Sequence, residues 1–303
     1  MLRAVRNGFW KGHGLGNDYL VVDPRELDFR LSKHAVRALC DRHQGVGADG
    51  VLALVPTRRA DFGVRIYNPD GSEAEKSGNG LRIFGRYLHA TGRTRRTSFT
   101  VATRGGVVAL ELQLDRRGQA SRARVAMGRA SFRPKALPCR VRADELVDRP
   151  IRVGARRLRF TGVSVGNPHC VVFRARGAWS VRDLRALGPR LETHPWFPRR
   201  VNVQLARVRG PHALDVLVWE RGAGETQASG SSACAAACAG VRLGLLRSPV
   251  RVTMPGGALE VEVGPDYDVT LAGPVEAVAS GQLADSWIRS LSLARPLRTG
   301  SFL

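Results

Sequence analysis

A weak internal repeat is the feature that most limits how this chain can fold. Residues 71–80 read GSEAEKSGNG and residues 222–232 read GAGETQASGSS, and a stretch that favours a helix follows each. In both copies a Glu stands four residues before a Ser-Gly pair, at Ser77 and at Ser229, half of the 303-residue chain apart. One structural unit used twice predicts two pseudo-symmetric domains. We expect a site in the cleft between them, because pockets favour domain interfaces.

The rest of the sequence predicts short strands with a few helices between them. Alternating or β-rich segments recur along the chain, and Gly, Pro or Asp separates them. This pattern predicts an α+β fold rather than alternating βαβ units. Strands are predicted at 62–67, 107–114, 122–127, 157–165, 170–173, 213–219, 259–263 and 269–271, helices at 33–42 after Ser32, 80–91, 181–191 after Ser180 and 232–246, and a short helix with a loose tail at 285–303.

The charge of the chain is unusually positive. Lys and Arg number 48 against 26 Asp and Glu, a formal net charge of +22. An excess of this size raises the question of a nucleic-acid or anionic partner. However, the arginines are scattered, no run of five or six occurs, and no aromatic residues interleave with them as stacking platforms. We therefore expect no nucleic-acid partner, and keep polyanion binding only as a minor alternative.

The cysteines and the apolar runs predict a cytoplasmic protein. The five cysteines are odd in number and show no disulfide spacing, which fits a reducing compartment. Cys234 and Cys238 lie one helical turn apart, but two thiols without nearby histidines make a poor zinc site, so we expect no metal. The first twelve residues lack a signal-peptide core, and no 18-residue apolar run could span a membrane.

The two repeated turns can bind an anion. Ser77-Gly78-Asn79-Gly80 and Ser229-Gly230-Ser231-Ser232 each come just before a predicted helix. Free N–H groups at a helix N-terminus attract anions, and glycine lets a ligand approach the backbone. Two such helix starts facing one cleft would hold a small carboxylate. Each turn taken alone is also explained as a helix cap, and only the pairing at half-chain spacing favours a site.

Six segments in order closely resemble the diaminopimelate epimerase family, over roughly residues 9–283. The resemblance implies an α+β fold of two similar domains, each a mostly antiparallel sheet around a central helix. It places these domains at 1–122 and 123–272, with a return strand at 273–284 and a tail at 285–303. It also implies a homodimer, an amino acid substrate and no cofactor or metal. The segments are FWKGHGLGNDYLVVD, CDRHQGVGADGVL, YNPDGSEAEKSGNGLR, VGNPHCVVF, RVNVQ and WERGAGETQASGSSACAAA.

The family's reaction converts LL-diaminopimelate to the meso form for lysine and peptidoglycan synthesis. One cysteine thiolate removes the α-proton, and a second thiol delivers a proton to the opposite face. The resemblance implies that backbone amides of four residues hold the substrate carboxylate and that His169 lies beside the reacting centre. The matching amide positions are Gly78, Asn79, Gly230 and Ser231, and the other substrate-binding positions are Asn17, Asn68, Asn167, Asn202, Glu220 and Arg221.

The chain departs from the family pattern where the chemistry occurs. Ser77 and Ser229 stand where the family has its two cysteines, and Lys76 stands where it usually has Met. A serine hydroxyl is a far weaker acid than a thiol and needs a second base, for which His169 is the candidate. Two hypotheses stay open: an isomerase with altered or weak activity, and an inactive member that binds an amino acid or a protein. Native and engineered origins of the serines also stay open.

Overall fold

The computed structural model describes residues 5–174 and 177–293, in which one continuous hydrogen-bonded sheet surrounds two buried helices. The helices are α1 (Lys33–Cys40), α2 (Gly78–Ala90), α3 (Val181–Glu192), α4 (Gly230–Arg242) and α5 (Asp285–Leu293). No helix in this part of the chain is long and apolar enough to cross a membrane. Residues 294–303 of the predicted tail lie outside the described ranges, which contain its helix α5.

The strands divide into two sets of nine in chain order. The first set is β1 (Gly8–Gly14), β2 (Asn17–Val22), β3 (Val51–Val55), β4 (Phe62–Tyr67), β5 (Glu73–Ala74), β6 (Ser98–Thr103), β7 (Gly106–Leu114), β8 (Ala120–Arg129) and β9 (Arg149–Val153). The second set is β10 (Arg156–Ser164), β11 (Pro168–Phe173), β12 (Asn202–Gly210), β13 (Ala213–Glu220), β14 (Gly224–Thr226), β15 (Val250–Met254), β16 (Gly257–Val263), β17 (Asp268–Pro274) and β18 (Glu276–Gln282).

The two sets pair in the same order. In the first, β1, β2, β3, β4, β6, β7 and β8 are successive neighbours, and only β2–β3 and β4–β6 are parallel. In the second, β10, β11, β12, β13, β15, β16 and β17 follow one another, and only β11–β12 and β13–β15 are parallel. Helix α2 corresponds to α4 and α1 to α3. The predicted α+β fold with two pseudo-symmetric halves is confirmed.

The halves are tied together by exchanged strands. β9 follows β8 but pairs with β10, and β18 follows β17 but pairs with β1. β8 and β17 also pair with each other along seven residues. The expected domain limits at 122/123 and 272/273 fall inside these two strands, so the exact limits stay predictions.

The central helices begin two residues earlier than the sequence suggested. Helix α2 starts at Gly78 rather than Gly80, and α4 starts at Gly230 rather than Ser232, because the glycine turns themselves form the first helical turn. Helix α4 also ends at Arg242 instead of 246, since Gly244 adopts a left-handed φ of 69°. Residues 232–240 of α4 are all buried. Their side chains are small, so the surrounding sheet can pack closely on every face of the helix.

The remaining predicted elements are confirmed with small shifts of their ends. All eight predicted strands occur, and α1 and α3 begin after the expected caps. The Ser32 hydroxyl accepts a hydrogen bond from the Ala35 N–H, and Ser180 and Asp183 form a capping box.

Candidate functional site

The N-termini of α2 and α4 meet in the middle of the molecule. A Cβ added to Gly230 would lie 3.8 Å from the Gly78 Cα and 3.9 Å from the Asn79 nitrogen. A Cβ on either glycine would lie only 2.8 Å from Leu271 Cδ2. Such close approach of two backbones and one leucine therefore requires glycine at both positions. The two turns that the sequence paired are neighbours in space.

Backbone N–H groups are available at this junction. The first N–H groups of a helix have no acceptor inside the helix. Among the described residues, the structure gives no acceptor for those of Gly78, Asn79, Gly230 and Ser231. Ser77, Gly230 and Ser231 are partly exposed, so solvent reaches the turns. Two aligned helix N-termini with free N–H groups favour a bound anion.

The side chain of Asn79 is fully used inside the protein. Its Nδ2 donates to the backbone oxygen and to Oδ1 of Asn17, each at 2.7 Å, and its Oδ1 accepts from Arg82 at 2.9 Å. Asn17 in turn donates to Asp49 at 2.8 Å. Asn79 is thus held rigidly and offers only its backbone N–H to a ligand.

Ser77 caps α2 and has a second polar neighbour. Its Oγ accepts from the Gly80 N–H at 3.0 Å and lies 3.4 Å from the Tyr19 hydroxyl. Burial raises the pKa of Tyr19 to about 12, and nearby Glu220 adds to this. The phenol is therefore protonated at neutral pH and acts as a donor rather than as a base.

Ser229 occupies the equivalent cap of α4 and is almost entirely buried. Its hydroxyl has no hydrogen-bond partner among the described residues, and its backbone N–H points to the Met254 sulfur at 3.5 Å. The two serines are thus in matching backbone positions, but among the described residues only the Ser77 hydroxyl is hydrogen-bonded.

His169 is fully buried and turned toward other partners. Its Nδ1 lies 3.0 Å from Gln204 Nε2, and its Nε2 lies 2.9 Å from Asn167 Oδ1. Burial lowers the pKa of this imidazole to about 3, so it is neutral at pH 7. Because both ring nitrogens are occupied, the geometry gives no support to the expectation that His169 activates a serine.

Among the other expected substrate-binding residues, only Asn167 has a described hydrogen bond to one of the two turns. The Asn167 amide donates to the Ser231 hydroxyl at 3.3 Å. Asn202 accepts from the Arg221 N–H at 2.9 Å and donates to the Pro168 oxygen at 2.9 Å. Glu220 accepts from the Thr226 hydroxyl at 3.2 Å, and the Arg221 side chain is exposed. In the first half, Asn68 donates to the Ser72 hydroxyl at 2.9 Å.

Thiols take no part in the two helix caps. Cys234 is fully buried one turn into α4, and burial raises its pKa well above the usual range. Burial likewise raises the pKa of Cys40, Cys139, Cys170 and Cys238. All five thiols are therefore neutral at physiological pH. Residues 5–174 and 177–293 contain no group of three His, Cys, Asp or Glu side chains that could hold a metal ion.

Comparison with known proteins identifies the family. The diaminopimelate epimerase family model matches residues 9–133 and 161–278. Diaminopimelate epimerase 2 of Nostoc sp. is 40% identical over 91% of this chain and 95% of its own length. The diaminopimelate epimerase of Pelotomaculum thermopropionicum is 41% identical over 90% and 98%. The chain belongs to the diaminopimelate epimerase family.

Solved structures outside this close group share the fold. A hydroxyproline epimerase of Agrobacterium vitis, with bound trans-4-hydroxy-L-proline, has a TM-score of 0.68 at 15% identity over 90% of this chain and 91% of that one. A phenazine biosynthesis protein of Bacillus anthracis has a TM-score of 0.64 at 14% identity, over 91% and 98%. At such identities the similarity establishes the diaminopimelate epimerase fold and nothing about chemistry.

Three residues of this diaminopimelate epimerase homologue are not indicated by any local sequence pattern used above: Tyr19, Gln204 and Arg82. Tyr19 stands two residues after Asn17 in Gly-Asn-Asp-Tyr, as His169 stands two residues after Asn167 in Gly-Asn-Pro-His. Alignment of the two halves would have revealed that match. Gln204 and Arg82 carry no local signal, because their roles depend on contacts across the sheet.

Proposed function

We propose that this protein is a diaminopimelate epimerase-type isomerase that uses Ser77 and Ser229 in place of two thiols and therefore turns over slowly. The observation that carries the proposal is the junction of two serine-capped helix N-termini whose free N–H groups converge. Such a junction suits one carboxylate with an acid/base group from each helix start. The relatives' activity supports LL-diaminopimelate as the substrate.

Binding is supported by groups that already hold their positions. Asn79 is fixed by Asn17 and Arg82, and Asn202 is fixed by Pro168 and Arg221. Side chains that are already fixed lose little conformational entropy when the ligand binds. Removal of an α-proton leaves negative charge on the substrate carboxylate, and the helix N-termini would stabilise it there.

Proton transfer is the weak step. A thiol has an ordinary pKa of about 8.5, and a helix N-terminus lowers it, whereas a serine hydroxyl stays protonated. Neither Tyr19 nor His169 is a base for a serine, for the reasons given above. A serine can accept the α-proton only after its own hydroxyl proton has passed to water, and only a small fraction is in that form, so exchange is expected to be slow.

A second candidate function is carboxylate binding without turnover. The observation that favours it is Ser229, whose hydroxyl contacts no described base. In this case the protein would bind an amino acid, or a protein partner presenting one, and never exchange the α-proton.

Exchange of the α-proton in D₂O, followed by NMR, separates the two functions. The purified protein is incubated with LL-diaminopimelate and with a panel of L-amino acids, beside the Ser77→Cys/Ser229→Cys variant. Slow exchange by the unmodified protein supports the isomerase. Exchange by the variant alone supports the binding protein. If neither protein exchanges the α-proton and calorimetry detects no binding, diaminopimelate is ruled out as the ligand.

We also propose a homodimer, formed through the edge strand β18. This strand pairs with β1 on one side, its residues 276–280 are exposed, and Val278 is 54% exposed. A strand edge that no other described strand pairs with, and that carries an exposed valine, can pair with a second chain. Light scattering on a size-exclusion column tests this, and a monomer at micromolar concentration would contradict it.

A further inference from the structure

Arg82 is a buried cation without a described counter-ion. It lies on α2, one helical turn after Gly78, and only 1% of it is exposed. Its guanidinium donates to the Asn79 side-chain oxygen at 2.9 Å, to the Pro274 oxygen at 3.4 Å and to the Gly78 oxygen at 3.5 Å. These acceptors are neutral, and no carboxylate of the described residues forms an ion pair with it. Burial lowers its pKa to about 10, which leaves it protonated at pH 7.

The fold makes room for this side chain. A Cβ on Gly14, at the end of β1, would lie 2.7 Å from Arg82 Nη2. A Cβ on Gly273, in β17, would lie 3.3 Å from its Cζ. Glycine at both positions therefore leaves the space that the guanidinium fills. A buried charge is expensive unless an opposite charge offsets it.

The position of Arg82 indicates what that opposite charge is. Its hydrogen bonds end on Gly78 and Asn79, the two residues whose free N–H groups open α2. We propose that Arg82 is the buried counter-charge of a carboxylate held on those N–H groups, and that it acts as a positioning residue through Asn79. The inference rests on the proposed function only in taking these N–H groups as a carboxylate site.

The physical consequence is a charge-specific affinity. At the effective dielectric constant of about 20 that suits protein sites, a unit charge about 6 Å away, roughly one helical turn, changes anion affinity by about 100-fold. The same charge has little effect on a neutral ligand of the same shape. A purely structural arginine would instead change stability and leave the preference for an anion unaltered.

The test compares a carboxylate with its amide. Calorimetry measures binding of LL-diaminopimelate and of its α-monoamide, and of acetate and acetamide as bare probes, to the full-length protein. The variants are Arg82→Gln, which keeps a donor without the charge, and Arg82→Lys, which keeps the charge. Arg86→Met is the matched control, because Arg86 also donates to backbone oxygens, those of Ala120 and Val275, but one turn further along α2.

We expect Arg82→Gln to weaken carboxylate binding about 100-fold and amide binding less than twofold. Arg82→Lys should stay within about threefold of the parent protein. Arg86→Met should weaken carboxylate binding far less than Arg82→Gln does, because Arg86 is one turn further away and partly exposed, where solvent and salt screen its charge. Equal affinity losses for carboxylate and amide, or unchanged affinity with lower thermal stability, would overturn the proposal. If Arg82→Gln does not fold, equal binding of acid and amide by the parent protein overturns it as well.

Failure of the inference is distinguishable from failure of the function. If LL-diaminopimelate binds and its affinity is the same in Arg82→Gln as in the parent protein, the inference is refuted and the proposed substrate is kept. Binding of acetate that depends on Arg82, without binding of LL-diaminopimelate, refutes the substrate and keeps the inference. Absence of binding by every carboxylate refutes both.

Discussion

The two halves of the molecule share a topology but differ around their serines. Ser77 has the Gly80 N–H and the Tyr19 hydroxyl as neighbours, whereas the Ser229 hydroxyl has no partner among the described residues. The repeat places Tyr19 where the second half has His169, yet His169 turns away toward Gln204. Conservation of the fold between the halves therefore does not preserve the surroundings of the reacting positions.

One strand position explains why His169 is turned away. In the second half, Gln204 donates to both His169 and the Ser232 hydroxyl, at 3.0 and 2.9 Å. The matching strand of the first half has Leu52, which packs against Gly80. The apolar contact between Leu52 and Gly80 thus stands where the second half has the hydrogen bond between Gln204 and Ser232. Among the described residues, Tyr19 has no such partner on the neighbouring strand, and it approaches Ser77. The start of α2 is therefore a simple serine cap, whereas the start of α4 is joined to a buried network of His169, Gln204 and Ser232.

The largest expected effect comes from giving both halves a thiol. The variant Ser77→Cys/Ser229→Cys should exchange the α-proton of LL-diaminopimelate at least about 100-fold faster than the parent protein, since helix N-termini lower thiol pKa values. The rate is read by NMR in D₂O. The matched control is Ser32→Cys/Ser180→Cys, which places thiols at the caps of α1 and α3 and should exchange no faster than the parent.

The second expected effect is on stability and concerns Gln204. Replacing it with Leu, the residue of the first half, removes donors from two buried acceptors, His169 and Ser232. We expect a loss of about 1–3 kcal/mol in the free energy of unfolding, measured with urea. The exposed Gln113 on β7 is the control, and Gln113→Leu should cost less than about 0.5 kcal/mol. A smaller loss at Gln204 than at Gln113 would show that the network is dispensable.

The third effect is a pH dependence that originates from His169 in the second half. The pKa of His169 is about 3 in the folded protein, below its ordinary value of 6.5, because the ring is buried. The unfolded chain therefore binds more protons between these values, so the stability from His169 is complete above pH 6.5 and is lost as pH falls. Between pH 7 and pH 5 this amounts to about 2 kcal/mol.

Urea unfolding of the parent protein and of His169→Asn at the two pH values measures that difference. The variant should lose about 2 kcal/mol less than the parent between pH 7 and pH 5. Equal losses in both proteins would mean that carboxylates elsewhere account for the whole acid sensitivity.

The smallest effect distinguishes the two caps directly. In Ser77→Cys the new thiolate would have the Gly80 N–H and the Tyr19 hydroxyl nearby, whereas at position 229 the serine hydroxyl forms no hydrogen bond with the described residues. Because donors stabilise the charged form, Cys at 77 should have a pKa about one unit lower than Cys at 229. Thiolate absorbance against pH measures both values. Adding Tyr19→Phe should reduce the pKa difference between the two cysteines. An unchanged difference would show that the Tyr19 hydroxyl does not lower the pKa of Cys at 77.

Much of the fold could be predicted from local patterns. Short alternating segments gave the strands, and Ser32 and Ser180 marked the starts of α1 and α3. The starts of α2 and α4 were misplaced by two residues, because glycine disfavours a helix interior but is accepted in a first turn bounded by a serine cap. The strand β9 was missed as an exchanged element, since nothing local shows which strand a segment will pair with, whereas the return strand at 273–284 was expected only from the family resemblance.

The sequence by itself determined the repeat, the two serine-capped glycine turns and the family. These features are local, so a few adjacent residues encode them. Only the tertiary structure decided which hydroxyl approaches Ser77, which way His169 points and that Arg82 is buried without a described counter-ion. Each of these depends on strand register and helix packing, which join residues far apart in the chain: Tyr19 and Ser77 are 58 residues apart, and His169 and Gln204 are 35 apart.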